Sequence, residues 1–400
     1  CLTARAVDHV VLERGEVASS WTTERWDSLR LLSPNWMTRL PGFAYDGDDP
    51  DGFMTAAEVS AFLGRYRRSF DAPVESATSV LGVTPHDRGF HVTTSTGSWS
   101  ARSVVVAAGA CSDPHVPAVS AALPSHLAEV SSIHYRRPEL LDDGPVLVVG
   151  GSASGLQIAD ELARSGREVS LAVGEHVRVP RTYRGMDIQW WMDAMGLLDE
   201  RIEDVDDLVR VRSTPSLQLV GSPERRDLDL NTLSANGVTV RGRLVGTRGS
   251  RAQFSGSLAN VCALADLKLG RLLDRIDDYA AASGLTSEIE PGTRSAPTVV
   301  PHAGLELDLA AYRTVVWATG FRPRYPWLDS SFLDARGRLA HQAGVLPVPG
   351  GYVLGLPFMR RRKSSFIDGV GPDAVELTEH LMGHLERTAR PARMSTGAGG

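Results

Sequence analysis

The chain has 400 residues, of which 42% are hydrophobic and 22% are charged. These values are typical of a globular protein with more than one domain and a large apolar core. A formal net charge of −6 argues against general nucleic-acid binding, and no apolar run approaches the length of a membrane span. The cysteines Cys1, Cys111 and Cys262 include no Cys-x-x-Cys pair. We therefore predict no dithiol centre, no metal site and a cytoplasmic location.

The chain opens with the end of a helix, Cys1–Arg5, and a strand, His9–Leu12, that finishes at Glu13. In a βαβ nucleotide unit, an acidic residue at the end of the second strand accepts hydrogen bonds from an adenosine ribose. We predict this role for Glu13, with Arg14 beside it; an ordinary surface glutamate is the alternative. Since there is no initiator Met, we expect the first strand and glycine turn of the unit, roughly 16–20 residues, upstream of Cys1.

One helix and several short strands follow. The pair Thr55 and Glu58 has the pattern of a capping box, which predicts a helix over Thr55–Phe70. The run Val104–Gly109 predicts a buried strand that ends in small residues. Other short strands are expected between turn residues: Val74–Gly82, Phe90–Thr94 and Ser98–Ala107.

The sequence VLVVGGSASG begins at Val146 and runs from an apolar strand into a glycine-rich turn and a helix. Gly150 permits the tight turn, and Gly155 lets the helix pack closely on the strand. The small residues between them let backbone N–H groups approach a pyrophosphate at the helix N-terminus. A plain strand–helix connection is the alternative. We predict a dinucleotide site at Gly150, Gly151, Ser152, Ala153, Ser154 and Gly155.

The second strand of this unit, Glu168–Val173, ends at Gly174, and aligning Gly174 with Glu13 gives an offset of 161 residues. Gly174 has no carboxylate for a ribose 2′-hydroxyl, which favours NADPH over NADH. If the strand instead ends one residue later, Glu175 provides a carboxylate for the ribose 2′-hydroxyl, and this favours NADH. The basic residues expected to receive a 2′-phosphate follow closely: His176, Arg178 and Arg181.

Two features of the later sequence complete the pattern. A buried strand, Tyr312–Gly320, ends in Thr319–Gly320, and Asp373–Thr388 predicts a closing helix with Pro372 near its first turn. The remaining elements are expected at these positions: a helix at Ile188–Met195, a helix at Leu264–Ser283 and a strand at Gly351–Leu356.

The sequence thus predicts an α/β fold with two Rossmann-like dinucleotide-binding domains, the second inserted in the first. Each is expected to be a three-layer sheet, with a β-rich connection. We predict the first domain over residues 1–144 and 311–388, the second over 145–310, and a disordered tail over 389–400.

These residues resemble flavin-containing monooxygenase-like FAD/NAD(P) oxidoreductases, and above all bacterial flavoproteins described as cation- or potassium-transport oxidoreductases. Plant flavin monooxygenases of auxin synthesis are similar. The matching blocks span almost the whole chain: SSWTTERWDSLRLLSPNW (19–36), LPG (40–42), VVVAAG (104–109), VLVVGGSASG (146–155) and VVWATGFRP (315–323).

The resemblance implies FAD and NADPH as cofactors, with a small organic substrate and O₂ as reactants. It implies that Glu13 holds the FAD ribose, and that Ser20 and Trp21 lie along the FAD phosphates and ribityl chain. Core packing is the alternative for Trp21. Residues Ala108–Gly109 and Thr319–Gly320 would lie where the chain crosses between the two domains. Catalytic side chains are not assigned, because the cofactors carry the chemistry. A homodimer is compatible with the sequence.

One segment departs from the family pattern Phe-x-Gly-x-x-x-His-Ser-x-x-Tyr. In SHLAEVSSIHYRRP (125–138), Tyr135 fits the end of the pattern, but Ser131 stands where His is expected and the Phe and Gly are absent. We interpret His134 as a surface residue. The departure leaves open an uncoupled NADPH oxidase or electron-transfer flavoprotein, or a nucleotide-binding regulatory subunit linked to ion transport.

Two further clusters have open interpretations. The segment MRRRKSS (359–365) could bind cofactor phosphates or an anionic substrate, or it could be a solvated loop. The pair Trp190–Trp191, with nearby methionines, could line a substrate pocket or pack in a helical core.

Overall fold

A computed structural model describes residues 1–87, 89–300 and 303–389. Over these residues the α-helices are α1 (Ser20–Thr23), α2 (Ala56–Ser69), α3 (Ala153–Arg164), α4 (Ile188–Ala194), α5 (Leu208–Arg212), α6 (Leu230–Ala235), α7 (Leu258–Ala282) and α8 (Ile367–Ala389).

The strands of the first third are β1 (Val11–Leu12), β2 (Arg39–Leu40), β3 (Phe43–Ala44), β4 (Val74–Glu75), β5 (Val80–His86), β6 (Gly89–Thr94), β7 (Ser98–Ala101) and β8 (Val104–Val106). Those of the remainder are β9 (Ala128–Ser131), β10 (Val146–Val149), β11 (Val169–Ala172), β12 (Val177–Arg178), β13 (Thr182–Tyr183), β14 (Met186–Asp187), β15 (Leu217–Gln218), β16 (Thr239–Arg241), β17 (Leu244–Arg248), β18 (Arg251–Phe254), β19 (Glu306–Asp308), β20 (Thr314–Trp317) and β21 (Gly351–Val353).

A five-stranded parallel sheet in the order β16-β11-β10-β20-β9 forms the central domain. The strands β10, β11 and β20 are buried along their whole length. Such continuous apolar runs are typical of parallel strands that are covered on both faces. Helix α3 packs on this sheet through Leu156, Ile158 and Leu162.

The other half of the fold is built from smaller sheets. The strands β1 and β4 form one parallel pair, β8 and β21 form another, and β5-β6-β7 is an antiparallel meander. A separate apolar core joins the meander to the C-terminal region through Val92, Val106 and Phe332. The strands of this half are thus divided among several sheets, and the predicted Rossmann-like α/β fold is confirmed.

The predicted domain boundaries need two corrections. Strand β20, which we placed in the second part of the first domain, pairs with β10 in the central sheet. Strand β9, which we placed in the first part, pairs with β20. The central domain therefore begins before residue 145 and ends after residue 310, because both strands complete its sheet. The β-rich connection is the antiparallel β17-β18-β19 sheet.

The closing helix α8 begins at Ile367, earlier than predicted, and Pro372 lies inside it. Proline cannot donate the backbone hydrogen bond of an interior helix position. Ion pairs of Asp368 with Arg39 and Lys363, at 2.6 and 3.1 Å, anchor the turn before it. Of the predicted disordered tail, residues 390–400 lie outside the described part of the chain. Among the described helices, none is long and apolar enough to span a membrane.

Candidate functional site

The glycine turn after β10 is tightly packed against neighbouring backbone. A Cβ on Gly150, whose φ is +133°, would lie 2.1 Å from the carbonyl oxygen of Ala318. A Cβ on Gly155 would lie 1.8 Å from the carbonyl oxygen of Gly150, and one on Gly151 would lie 2.7 Å from Val173. A Cβ would clash with backbone at Gly150 and Gly155 and would displace the Val173 side chain at Gly151, since real Cβ atoms essentially never approach other atoms below 3.0 Å. The turn therefore brings bare backbone to the carboxyl edge of the parallel sheet.

The start of α3 leaves backbone donors available. Ser152 is the N-cap residue, but its side chain makes no capping hydrogen bond, and its carbonyl accepts the N–H of Leu156 at 3.0 Å. The first N–H groups of a helix have no partner within the helix and carry its positive end, so they favour an anion. The N–H groups at Ala153, Ser154 and Gly155 thus lie at the positive end of α3, and their contact with a pyrophosphate stays a prediction.

The floor of this turn is fixed by residues far away in sequence. The side-chain amide of Gln218 donates to the carbonyl of Gly151 at 2.8 Å, and that of Gln157 donates to the carbonyl of Leu219 at 2.7 Å. Both glutamines are buried. The motif alone gave no sign of Gln218, because its contribution depends on the β12–β15 pairing, which brings residues 217–218 to the turn.

The two predicted chain crossings follow strands of different sheets. Residues Ala108–Gly109 follow β8, which pairs with β21, and Thr319–Gly320 follow β20 in the central sheet. The N–H of His115 donates to the carbonyl of Gly320 at 2.8 Å, and the Thr319 hydroxyl donates to the carbonyl of His115. These bonds link His115 to the end of β20, and the crossing role of the two small-residue segments stays a prediction. No neighbouring atom lies within 4 Å of a Cβ built on Gly109 or Gly320, whose φ angles are +74° and +82°.

Glu13 lies directly after β1, as predicted. Its Oε1 accepts the N–H of Gly15 at 3.0 Å, and its backbone is paired with Glu75 and Thr78. This fixes a half-buried carboxylate at the end of a parallel pair. Arg14 is exposed and donates to Glu24 at 3.0 Å.

Ser20 and Trp21 form the first turn of the short helix α1. Trp21 packs against the apolar cluster of Leu31, Met54 and Phe62, and the Arg25 guanidinium lies 5.6 Å from its ring centroid. Trp21 therefore takes part in core packing, as the alternative interpretation predicts. Its predicted contact with FAD stays a prediction.

Arg178 does not provide the predicted free charge for a 2′-phosphate. Its guanidinium is only 5% exposed and pairs with Asp229 at 2.7 Å and Asp266 at 2.6 Å. Burial alone would lower the pKa of Arg178, but these two carboxylates outweigh it and raise the pKa. The arginine is a structural cation that ties β12 to α7, because its hydrogen-bonding capacity is used inside the domain.

Arg181 is also engaged internally. It is fully buried, donates to Asp187 and to the carbonyl of Leu32, and stacks over the Phe53 ring at 4.9 Å. It therefore links the central domain to the segment that follows α1. His176 is 3% exposed, and burial lowers its pKa, which favours the neutral ring. None of the three basic residues predicted for the 2′-phosphate is an exposed cation.

The cationic segment 360–363 is not a solvated loop, because its cations are paired with carboxylates of the protein. Arg360 and Arg361 pair with Glu376 of α8, and Arg361 also pairs with Asp373 at 2.8 Å. Arg362 pairs with Glu200, a residue of the central domain. These pairs hold the segment between α8 and the central domain, since each cation has a nearby carboxylate.

The segment that departs from the family pattern is structural in large part. Tyr135 is fully buried, and its hydroxyl donates to Glu161 at 2.7 Å. Burial and this hydrogen bond raise the pKa of the phenol. His134 is exposed, as predicted, and its ring lies 2.8 Å from the Ser131 hydroxyl. The phenol therefore serves packing between β9 and α3.

Trp191 belongs to the core, which confirms the packing interpretation of the tryptophan pair. It is fully buried, and its indole N–H donates to the carbonyl of Tyr183 at 2.7 Å.

An open hollow of about 700 Å³ lies elsewhere, between the loop after α1, helix α2 and residues 222–225. Its lining includes Arg30, Arg65 and Arg225. Within the described residues, no group of three or more His, Cys, Asp or Glu could hold a metal ion.

Comparison with known proteins agrees with this geometry. Residues 2–194 match the family described as pyridine nucleotide-disulphide oxidoreductase. The chain is 32% identical over 378 residues to an uncharacterized CzcO-like oxidoreductase of Geobacillus kaustophilus, covering 94% of this chain and 91% of that protein. It is 30% identical over 195 residues to the indole-3-pyruvate monooxygenase YUCCA6 of Arabidopsis thaliana, covering 46% of each chain.

The fold is similar to that of a flavin-containing monooxygenase from Stenotrophomonas maltophilia, with a TM-score of 0.63 at 18% identity. The match covers 94% of this chain and 98% of that one, so it extends across both halves of the fold. The resemblance inferred from the motifs is confirmed. The chain belongs to the CzcO-like oxidoreductases, a family with the fold of flavin-containing monooxygenases.

Proposed function

We propose that this protein is an NADPH- and FAD-dependent oxidoreductase of the monooxygenase-like type. The observation that carries the proposal is the glycine turn 150–155, where a Cβ on Gly150 or Gly155 would lie within 3.0 Å of backbone and one on Gly151 within 3.0 Å of the Val173 side chain. The uncapped start of α3 adds unpaired donors at the same place. A strand, turn and helix in this order, at the carboxyl edge of a parallel sheet, fit a dinucleotide pyrophosphate.

The N–H groups at Ala153, Ser154 and Gly155 would hold the NADPH pyrophosphate. The phosphates would approach backbone N–H groups directly. A side chain at Gly155 would not fit in the turn, because its Cβ would clash with the carbonyl oxygen of Gly150. Gln218 would keep the turn in this geometry through its hydrogen bond to the carbonyl of Gly151 at 2.8 Å.

FAD would be held by the other half of the chain. Glu13 presents a carboxylate that the Gly15 N–H orients, as an acceptor for ribose hydroxyls. The crossings at Gly109 and Gly320 provide open space next to backbone, since no protein atom lies near their missing Cβ positions. The similar fold of a flavin-containing monooxygenase supports flavin use, and the family description supports a pyridine nucleotide.

Bound NADPH and FAD would supply the hydride-transfer and O₂-reducing chemistry of the proposed reaction. The protein's own residues position these groups and exclude water. The phenol of Tyr135 takes no part, because it is fully buried and bonded to Glu161. No side chain of this chain is assigned as acid or base.

A second candidate is an NADPH oxidase that passes electrons to O₂ without oxygenating a substrate. The departure in residues 125–138 favours it, since Ser131 replaces the expected His and the end of the segment is used for packing.

A small amine, sulfide or carbonyl compound is the substrate class for the first candidate, because reduced flavin and O₂ oxygenate such groups in similar enzymes.

The test is to load the protein with FAD and to measure NADPH consumption, peroxide and product with a panel of amines, sulfides and ketones. Substrate-dependent NADPH consumption with an oxygenated product supports the monooxygenase. Peroxide equal to NADPH consumed, with no product, supports the oxidase. Nucleotide binding with no NADPH consumption would contradict both and indicate a regulatory subunit.

A further inference from the structure

Arg243 lies in register with the residue that ends the second strand of the nucleotide unit. Strands β11 and β16 are parallel, with Ala172 opposite Arg241, and the N–H of Val173 donates to the carbonyl of Arg241 at 3.0 Å. Continuing this register places Arg243 opposite Gly174. The Cγ and Cδ atoms of Arg243 lie 3.9 Å from the point that a Cβ on Gly174 would occupy.

This position adjoins the glycine turn. The side chain of Val173, directly before Gly174, lies 2.7 Å from the point that a Cβ on Gly151 would occupy. The end of β11 and the pyrophosphate cradle therefore share one edge of the sheet. In a dinucleotide-binding unit this strand end lies beside the adenosine ribose.

Arg243 is also the basic side chain at this edge whose charge remains available. It is exposed, and no carboxylate lies within 4.0 Å of it in the part of the chain that the structure describes. The adjacent Arg241, by contrast, donates to the carbonyls of Ala303 and Glu306. The predicted ligand Arg178 is held by two carboxylates.

We propose that Arg243 binds the 2′-phosphate of NADPH and sets the preference for NADPH over NADH. The inference rests on the proposed function, because it needs an adenosine dinucleotide on the turn 150–155. A guanidinium presents several N–H donors in a planar fork, which suits a phosphate dianion. The missing side chain at Gly174 leaves space for this phosphate next to the arginine stem.

The test is isothermal titration of the whole chain with 2′,5′-ADP and with 5′-ADP, which differ only in the ribose phosphate. The unmodified chain is expected to bind 2′,5′-ADP more tightly. Arg243→Gln is expected to weaken 2′,5′-ADP binding by roughly 10- to 100-fold, with 5′-ADP binding unchanged, as for loss of a charge-assisted contact. Arg243→Lys restores part of the preference, since the charge remains but the fork does not.

Arg248→Gln is the matched control. Arg248 is an exposed arginine at the far end of β17, roughly 17 Å along the strand. Arg248→Gln should leave the affinities for 2′,5′-ADP and for 5′-ADP unchanged. An unchanged preference in Arg243→Gln, or equal binding of both nucleotides by the unmodified chain, would overturn the role of Arg243 while leaving the dinucleotide site intact. Failure of both nucleotides to bind the unmodified chain would overturn the proposed function as well.

Discussion

Substitution of Gly155 by alanine tests the glycine turn most sharply. The new Cβ would lie 1.8 Å from the carbonyl oxygen of Gly150, about 1.6 Å short of an ordinary contact, and 3.4 Å from the Ala318 Cβ. The obstructing atom is backbone in a turn whose Gly150 N–H is bonded to Ala172 at 2.9 Å. Overpacking typically costs about 1–3 kcal/mol, and we expect about 3 kcal/mol here because backbone must move.

The matched control is Gly270→Ala in α7, where a Cβ meets nothing within 4 Å. This change should stabilise the protein by about 0.5–1 kcal/mol through helix propensity. Urea unfolding gives the two free-energy changes, and titration with 5′-ADP gives the affinities. Only Gly155→Ala should lose nucleotide binding. Unchanged stability and unchanged affinity in Gly155→Ala would refute the tight geometry of the turn.

Three further predictions concern ion-paired or hydrogen-bonded polar groups. Hydrogen bonds from Arg201 lower the pKa of Glu376 from 4.5 to about 2. With its side chain 31% exposed, Glu376→Gln should cost about 1–2 kcal/mol above pH 4.5. The lowered pKa means that this difference in unfolding free energy shrinks as the pH falls from 4.5 toward 2, and a constant difference would contradict the assignment. Tyr135→Phe should lower the unfolding free energy by about 1–2 kcal/mol and leave kcat unchanged, since it removes only a hydrogen bond to Glu161; a large loss of kcat at normal stability would indicate a catalytic phenol. Arg178→Met should destabilise by about 3 kcal/mol because it leaves buried carboxylates unpaired, yet the ratio of 2′,5′-ADP to 5′-ADP affinity should not change. A changed ratio would restore Arg178 as the phosphate ligand.

The central strand and its turn could be predicted from sequence because their signals are local. The four residues Val146–Val149 are apolar and all buried, and a Cβ on Gly155 would meet the carbonyl oxygen of Gly150 within the same turn. Helix α2 begins with the predicted capping box, in which the Glu58 N–H donates to the Thr55 hydroxyl at 3.2 Å. Such features depend on neighbours in the chain.

The ion pairs of the arginines could not be predicted, because their carboxylate partners are distant in sequence. Arg178 is neutralised by Asp229 and Asp266, and Arg362 by Glu200. A basic residue near a nucleotide motif looks the same in sequence whether its charge is free or paired. Arg243 was missed for the same reason, since its place beside Gly174 depends on the pairing of β11 with β16.

The most direct test of the central claim is an absorption spectrum of the FAD-loaded, gel-filtered chain before and after anaerobic addition of NADPH. We expect a visible flavin band that stays with the protein and is lost when NADPH is added, much faster than with NADH. Absence of a retained flavin band, or a band that NADPH leaves unchanged, would contradict the assignment of this chain as an NADPH- and FAD-dependent oxidoreductase.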